Sequence, residues 1–303
     1  MSLVLLRNLT VLPRAQWRRN YSSNQQLQPV KMDYAVYQMP HSLLKEPPIV
    51  VMHGLNLSRA HWRRVARHLA KRGSRRVLAV DARNHGLSPH NPSHTPAHMV
   101  ADVLAFMKQQ QLGRIVALGH SMGGRTMMTL ALQQPKRVER AIFVDITPVG
   151  IPKDLFLTPA LFELMQRLAP TIPTELSLSE GRKFVLPHFS SLVKRDVDLQ
   201  LIIMNLRKLP SGEFAWAVNP EAIIKGWSST VSHYEKTVKG LKPYVGPVML
   251  IAGKQSKFVT SSSLKKMKQY FPKTKVVYLD AGHRVHQDQP NKFVDLVVNF
   301  TRG

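Results

Sequence analysis

A chain of 303 residues with 44% apolar side chains can bury one substantial core, and without cysteine it forms no disulfide, thiolate metal site or cysteine nucleophile. Lys and Arg number 43 against 18 Asp and Glu, a formal charge of +25; such a field favours anionic partners, a membrane surface or a phosphorylated substrate, but compact enzymes of an alkaline compartment are often simply basic, and that is the expected reading. No basic stripe interleaved with aromatics accompanies it, which argues against nucleic acid, and no apolar run reaches the roughly 18 residues of a spanning helix.

The first residues, MSLVLLRNLTVLPRAQWRRNYSS, carry Arg7, Arg14, Arg18 and Arg19, and no acidic residue precedes Asp33. This predicts a mitochondrial presequence over residues 1–22, cut near Tyr21 or Ser22, with the matrix as destination. Arg7 interrupts the apolar run that a secretory signal would need. A polar linker is expected over residues 23–31. MDYAVYQM then reads as an outer strand, and PPIVVMHG as a strand buried on both faces. HWRRVARHLAKRG is an amphipathic helix closed by Gly73. RRVLAVDARNHG is the next strand, Ala97 to Gln111 a helix, RIVALGHS a strand, MMTLALQQP a helix and RAIFVDITP a strand.

After Thr147 the alternation stops. LTPALFELMQRLA, SEGRKFVLPHF, DLQLIIMNLRKL and NPEAIIKGW read as helices without strands, so residues 150–227 are expected as a helical lid inserted into a core of residues 32–149 and 228–303. Leu155, Phe156, Leu161, Phe162, Leu164 and Met165 would either line an acyl pocket or form the lid's own core. GPVMLIAG, SSSLKKMKQYF, KVVYLDAG and NKFVDLVVNF restore the strand–helix rhythm. The fold class is therefore α/β, a doubly wound, mostly parallel sheet with a helical insertion and its active site at the carboxyl ends of the strands.

Gly119-His120-Ser121-Met122-Gly123 fits G-x-S-x-G between a strand and a helix, the context in which a serine sits on a tight turn as a nucleophile. Its hydroxyl needs a base. His61, His68, His90, His94 and His98 lie in polar helix or loop and are expected to face solvent. His283, behind Gly282 at the end of the last strand, stands in the order Ser, acid, His and is the expected base. His286 is either support or packing. The oxyanion donors would be the backbone N–H groups of Met122 and of Leu55, after His53-Gly54. No second histidine stands at metal spacing from His53, so neither metal nor cofactor is expected.

HGL at 53–55, VDARNHGLSPH at 80–90, GHSMGG at 119–124, VDITPV at 144–149 and AGHRVHQDQP at 281–290 resemble an α/β-hydrolase-fold serine esterase. More narrowly they are similar to the mitochondrial α/β-hydrolase domain-containing protein 11 group, from about Asp33 onwards. The resemblance implies hydrolysis of acyl esters, lipid acylglycerols included, and supports mitochondrial residence. Family members usually carry Trp where this chain has Arg284 after Gly-His. A haloalkane dehalogenase would need Asp in place of Ser121.

The acid is less direct. In most members it follows the penultimate strand as G-x-x-D, but here that position is Ser256, which cannot be the anion. Asp145, ending the strand after the nucleophile helix, is the first choice, and Glu221 the second, since it matches a carboxylate also taken as the relay acid in the family. Glu221 follows Pro220 and equally suits a helix N-terminus; Asp81 is expected to organise its own loop. The sequence thus predicts an ester hydrolase using Ser121, His283 and Asp145. The alternatives are a thioesterase, or a catalytically weak scaffold that binds a mitochondrial protein partner.

Overall fold

The computed structural model describes residues 27–40, 46–153, 155 and 157–302; the expected presequence and the first part of the expected linker lie outside them. In chain order the strands are β1 (Tyr34–Tyr37), β2 (Ile49–Met52), β3 (Val77–Val80), β4 (Ile115–His120), β5 (Val138–Val144), β6 (Leu206–Lys208), β7 (Phe214–Trp216), β8 (Val248–Gly253) and β9 (Thr274–Leu279). The helices are α1 (Arg63–Gly73), α2 (Pro96–Gln109), α3 (Met122–Gln133), α4 (Pro159–Leu168), α5 (Leu178–Phe189), α6 (Asp196–Ile203), α7 (Pro220–Trp227), α8 (Glu235–Val238), α9 (Ser261–Tyr270), α10 (Val285–Asp288) and α11 (Pro290–Arg302).

Seven strands form one sheet in the order β1-β3-β2-β4-β5-β8-β9. Only the pair β1–β3 is antiparallel. The central strands IVVM, VLAV, IVALGH and VMLIAG are apolar almost throughout because both of their faces are covered. On one face α1 and α11 bring Leu69, Phe293 and Val297 against the sheet. On the other, α2, α3 and α9 bring Phe106, Met128 and Met267. Each fully buried side chain of this size contributes roughly 2–3 kcal/mol.

The register aligns the carboxyl ends of four neighbouring strands. His120 pairs with Val144, Val144 with Ile251, and Gly253 with Leu279. Ser121, Asp145, Ser256 and His283 therefore follow strand ends on one edge of the sheet.

Between β5 and β8 lie α4 to α8 and a second, two-stranded antiparallel sheet of β6 and β7. The expectation of helices without strands is corrected here: helix α6 stops at Ile203, and Leu206–Lys208 pairs with Phe214–Trp216. Gly212, at φ 89, supplies the positive φ that the turn between them needs. Trp216 is buried there and donates its indole N–H to the Met165 carbonyl, 2.5 Å. Of the apolar residues read two ways, Leu161, Phe162 and Met165 are buried in the insertion's own core, whereas Leu155 lines a cavity; Phe156 lies outside the described residues. The helical segment also continues past Trp227, through a wide turn at Ser228–Ser232 and α8, before the sheet resumes.

Three further expectations change. Ser74, at φ 54, takes the left-handed position at the end of α1, one residue after Gly73. The described part of the linker is fastened to the domain: the Val30 N–H donates to Asp102 at 2.7 Å, and the Gln28 carbonyl accepts from Arg83 at 3.1 Å. His94, expected to face solvent, is 1% exposed, with its ring 5.5 Å from that of His85; the loop around it is polar in sequence but folds under Gly226 of α7 and the turn after it, where the His94 carbonyl accepts from the Thr230 hydroxyl.

Candidate active site

Strand β4 delivers the chain to Ser121 and α3 begins at the next residue, so Ser121 turns the corner at φ 52, ψ −116. Side chains rarely adopt this backbone, and it lifts the serine above the sheet edge. The turn closes because a Cβ on Gly119 would overlap the Gly123 carbonyl, and one on Gly123 the carbonyls of Met52 and His53. Three backbone bonds fix it: Ser121 N–H to the Val144 carbonyl (3.2 Å), Gly123 N–H to that of His53 (3.1 Å), and Arg125 N–H to that of Ser121 (3.0 Å).

Leu55 and Met122, the expected oxyanion residues, both line the cavity that holds Ser121. Met122 is the first residue of α3, where backbone N–H groups point out of the helix end. The Leu55 loop is shaped from beneath by His53. Its Nε2 accepts from the Ala82 N–H at 3.0 Å, so the proton sits on Nδ1 and is donated to the Gly54 carbonyl at 2.8 Å. Burial lowers its pKa to about 3, which makes His53 a neutral strut rather than a ligand.

Asp145 leaves β5 at φ 51 and is completely buried. Its Oδ1 accepts from the Gly253 N–H at 2.9 Å, and its Oδ2 from His283 Nδ1 at 2.7 Å and from the Ser256 hydroxyl. Donation from Nδ1 leaves His283 Nε2 as the basic nitrogen. The imidazole is held between rings: Phe258 stacks on it at 3.8 Å and 13°, and His120 lies 4.6 Å away. His120 donates from Nε2 to the His283 carbonyl at 2.9 Å, and burial keeps its own pKa well below the ordinary value.

The structure thus brings together Ser121, His283, Asp145, Leu55 and Met122, and leaves Glu221 out. Glu221, the second-choice acid, is exposed in the first turn of α7 and pairs with Lys225 one turn on, 2.5 Å; its carboxylate complements the helix start. Asp81 accepts from the N–H groups of Arg59 (2.6 Å) and Leu87 (2.9 Å) and so organises its loop. His286 is buried and stacks flat on Trp62, 3.9 Å between centroids. Ser256, Phe258 and His120 have roles at the site that sequence reasoning did not give them; Ser256 alone had a signal, as the serine in the G-x-x-D position.

The cavity over these residues measures about 750 Å³, within the range of small-molecule sites. Leu55, Leu57, Ile146, Ile151, Leu155, Leu157, Leu192 and Leu201 give it an apolar wall, and Lys194, Arg195, Asp198 and Arg284 also border it. Arg284 reaches from the residue after His283 to Asp198 on α6, 3.3 Å, and Asp198 also holds Arg195 at 2.6 Å. A hydroxyl on a strained turn, an imidazole oriented by a carboxylate, and an apolar cavity form the set that acyl transfer requires.

A family model of the α/β hydrolase fold matches residues 47–290. The chain is 36% identical over 259 residues to the sn-1-specific diacylglycerol lipase ABHD11 of Xenopus laevis, covering 85% of this chain and 80% of that protein. It is 34% identical to the mouse (Mus musculus) protein of the same name, covering 93% and 89%. Among solved structures, a marine microorganism esterase superposes with a TM-score of 0.74 at 25% identity, over 89% of this chain and 99% of that one. The chain belongs to the α/β-hydrolase fold family, within the group of the ABHD11 proteins.

Proposed function

We propose that the chain is a carboxylic ester hydrolase that works through Ser121, His283 and Asp145. The observation that carries this reading is the bond from His283 Nδ1 to the buried Asp145 carboxylate, beside a serine at φ 52. Ser121 Oγ attacks the acyl carbonyl while His283 Nε2 takes its proton, and Asp145 orients the resulting imidazolium. The oxyanion is held by the N–H groups of Met122 and Leu55. His283 then passes the proton to the departing alkoxide, and a water deprotonated by the same imidazole releases the acid from the acyl-enzyme. The apolar wall and the lipase relatives favour a lipid acylglycerol, and the charge of +21 that remains without the four arginines of residues 1–22 suits the anionic membrane surface where such esters lie. Segment 150–227 acts as the lid. Residues 1–22 direct the chain to the mitochondrial matrix, on the strength of their arginines; a reporter fused behind residues 1–31 that stays in the cytosol would refute this.

A fluorophosphonate probe should label the wild type and not Ser121→Ala. Asp145→Asn should lower kcat on a p-nitrophenyl ester by roughly 10³-fold or more, and Glu221→Gln by less than about 2-fold. An unlabelled wild type would point to the scaffold reading. Hydrolysis that survives Asp145→Asn but not Glu221→Gln would return the acid to Glu221.

A further inference from the structure

Arg125 is a buried cation that hydrogen-bonds only to uncharged groups among the described residues. It lies one turn into α3 and is 3% exposed. Burial lowers its pKa to about 10, so it stays charged at neutral pH. Its Nε donates to the Thr147 carbonyl at 3.3 Å and its Nη2 to that of Gly150 at 2.7 Å. Its Nη1 donates to the carbonyls of Val231 (2.6 Å) and Thr230 (3.4 Å). Tyr234 lies beneath the guanidinium, 4.9 Å from ring centroid to Cζ, and its hydroxyl donates to the Arg125 carbonyl at 2.7 Å.

These carbonyls belong to two segments far apart in sequence. Thr147 and Gly150 lie where the chain leaves the sheet for the insertion, and Thr230 and Val231 in the turn after α7, on its way back. Desolvating a guanidinium is costly, and it is tolerated where a planar fork meets several well-placed acceptors at once. Here the fork joins both ends of the insertion to the helix that begins after Ser121, through a residue whose own N–H is bonded to the Ser121 carbonyl.

We infer that Arg125 is a positioning residue that ties both ends of the insertion to the nucleophile helix and thereby sets the depth of the acyl cavity above Ser121. The reasoning is geometric. Ile146 and Ile151 lie beside the outgoing carbonyls, Val231 supplies one of the returning ones, and all three line the cavity. If the two ends loosen, the far wall shifts while the elbow, Asp145 and His283 stay in place on the sheet. A long acyl chain feels that shift and a short one does not. A lysine presents a single ammonium and cannot serve both segments from one plane.

The inference rests on the proposed ester hydrolysis, so its test has two readouts. Wild type, Arg125→Lys and Arg125→Met are compared on p-nitrophenyl acetate, octanoate and dodecanoate, and by amide hydrogen exchange over residues 147–151 and 228–234. Both variants should lose at least about 10-fold in kcat/KM on the dodecanoate, chiefly through KM, and less than about 3-fold on the acetate, with fluorophosphonate labelling of Ser121 retained. Exchange in the two segments should rise together by about 10-fold or more. Equal losses on all three esters, or faster exchange in one segment only, would overturn the inference. Should Arg125→Met fail to fold, Arg125→Lys still decides by the same measurements. If the wild type hydrolyses none of the esters, the activity reading fails, while the paired exchange still tests the tie.

Discussion

Taking the protein from about pH 7.5 to about pH 5.5 protonates the histidines of the unfolded chain, which titrate near 6.5, but not the five that the fold encloses. His53, His85, His94, His120 and His286 are each 1% exposed or less. Burial lowers His53, His85 and His286 to about 3, and His94 and His120 well below their ordinary value. The folded values lie under the unfolded ones, so this contribution to stability is complete above pH ~6.5 and is lost as the pH falls towards the folded values. Across the two-unit interval each of the three histidines near 3 costs on the order of 1 kcal/mol, and His94 and His120 act in the same sense, against a total stability of roughly 5–15 kcal/mol. Asp81 and Asp102, pushed up by burial, titrate in the opposite sense and offset part of the loss. Urea denaturation followed by tryptophan fluorescence should therefore show several kcal/mol of destabilisation between the two pH values. His286 offers a control. It stacks on Trp62, and neither ring nitrogen has a hydrogen-bond partner among the described residues, so His286→Phe keeps an aromatic stack and removes one proton from the linkage. Its pH slope should be smaller than the wild type's, by the one proton that His286 contributes. Stability that stays flat over the interval, or an unchanged slope in His286→Phe, would refute the reasoning.

Two further predictions concern the site. Ser256→Ala removes one donor from the buried Asp145 carboxylate; the lost charge-assisted bond should cost roughly 1.5–3 kcal/mol of stability and lower kcat about 10-fold with KM unchanged, and an unaltered kcat would show that Ser256 only fills space. Asp198 is 3% exposed and holds Arg284 and Arg195, so Asp198→Ala, which loses charge-assisted bonds to both, should destabilise by roughly 1.5–3 kcal/mol in thermal unfolding, whereas Arg195→Ala, at a side chain 69% exposed, should change stability by no more than about 1 kcal/mol; equal effects would mean that the buried carboxylate is not the anchor.

The parts of the fold legible in the sequence were those written in local pattern. Continuous apolar runs such as IVVM and VMLIAG announced strands covered on both faces, and G-x-S-x-G between a strand and a helix announced the turn at Ser121. Asp145 was legible because a strand end is itself a position. The ribbon of β6 and β7 was not, since DLQLIIMNLRKL continues a helical spacing and only Pro210-Ser211-Gly212 marks the break. His94 was missed because a polar loop looks exposed until another element folds over it. Arg125 was beyond reach for a stronger reason: its partners are backbone carbonyls 22, 25, 105 and 106 residues away, and a carbonyl has no residue type to recognise.

The missing aspartate at position 256 looks, in sequence, like a damaged relay. On the proposed relay it is a matter of which of two adjacent strands supplies the carboxylate. Strands β5 and β8 are neighbours, with Val144 level with Ile251, so a side chain just beyond either end comes close to the same imidazole. The bonds to Asp145 Oδ2 make this concrete, because Ser256 Oγ and His283 Nδ1 converge on that one oxygen. The requirement is for a buried carboxylate oxygen at one point, oriented from more than one side, rather than for an acid at one place in the chain. With Asp145 supplying the oxygen from β5, a second carboxylate at 256 would set two like charges against each other, and a hydroxyl there is the complement that donates. The serine is thus what the β8 position should hold when the acid comes from β5. Glu221 rides instead on an exposed helix start with Lys225 beside it, and no strand end carries it to that point.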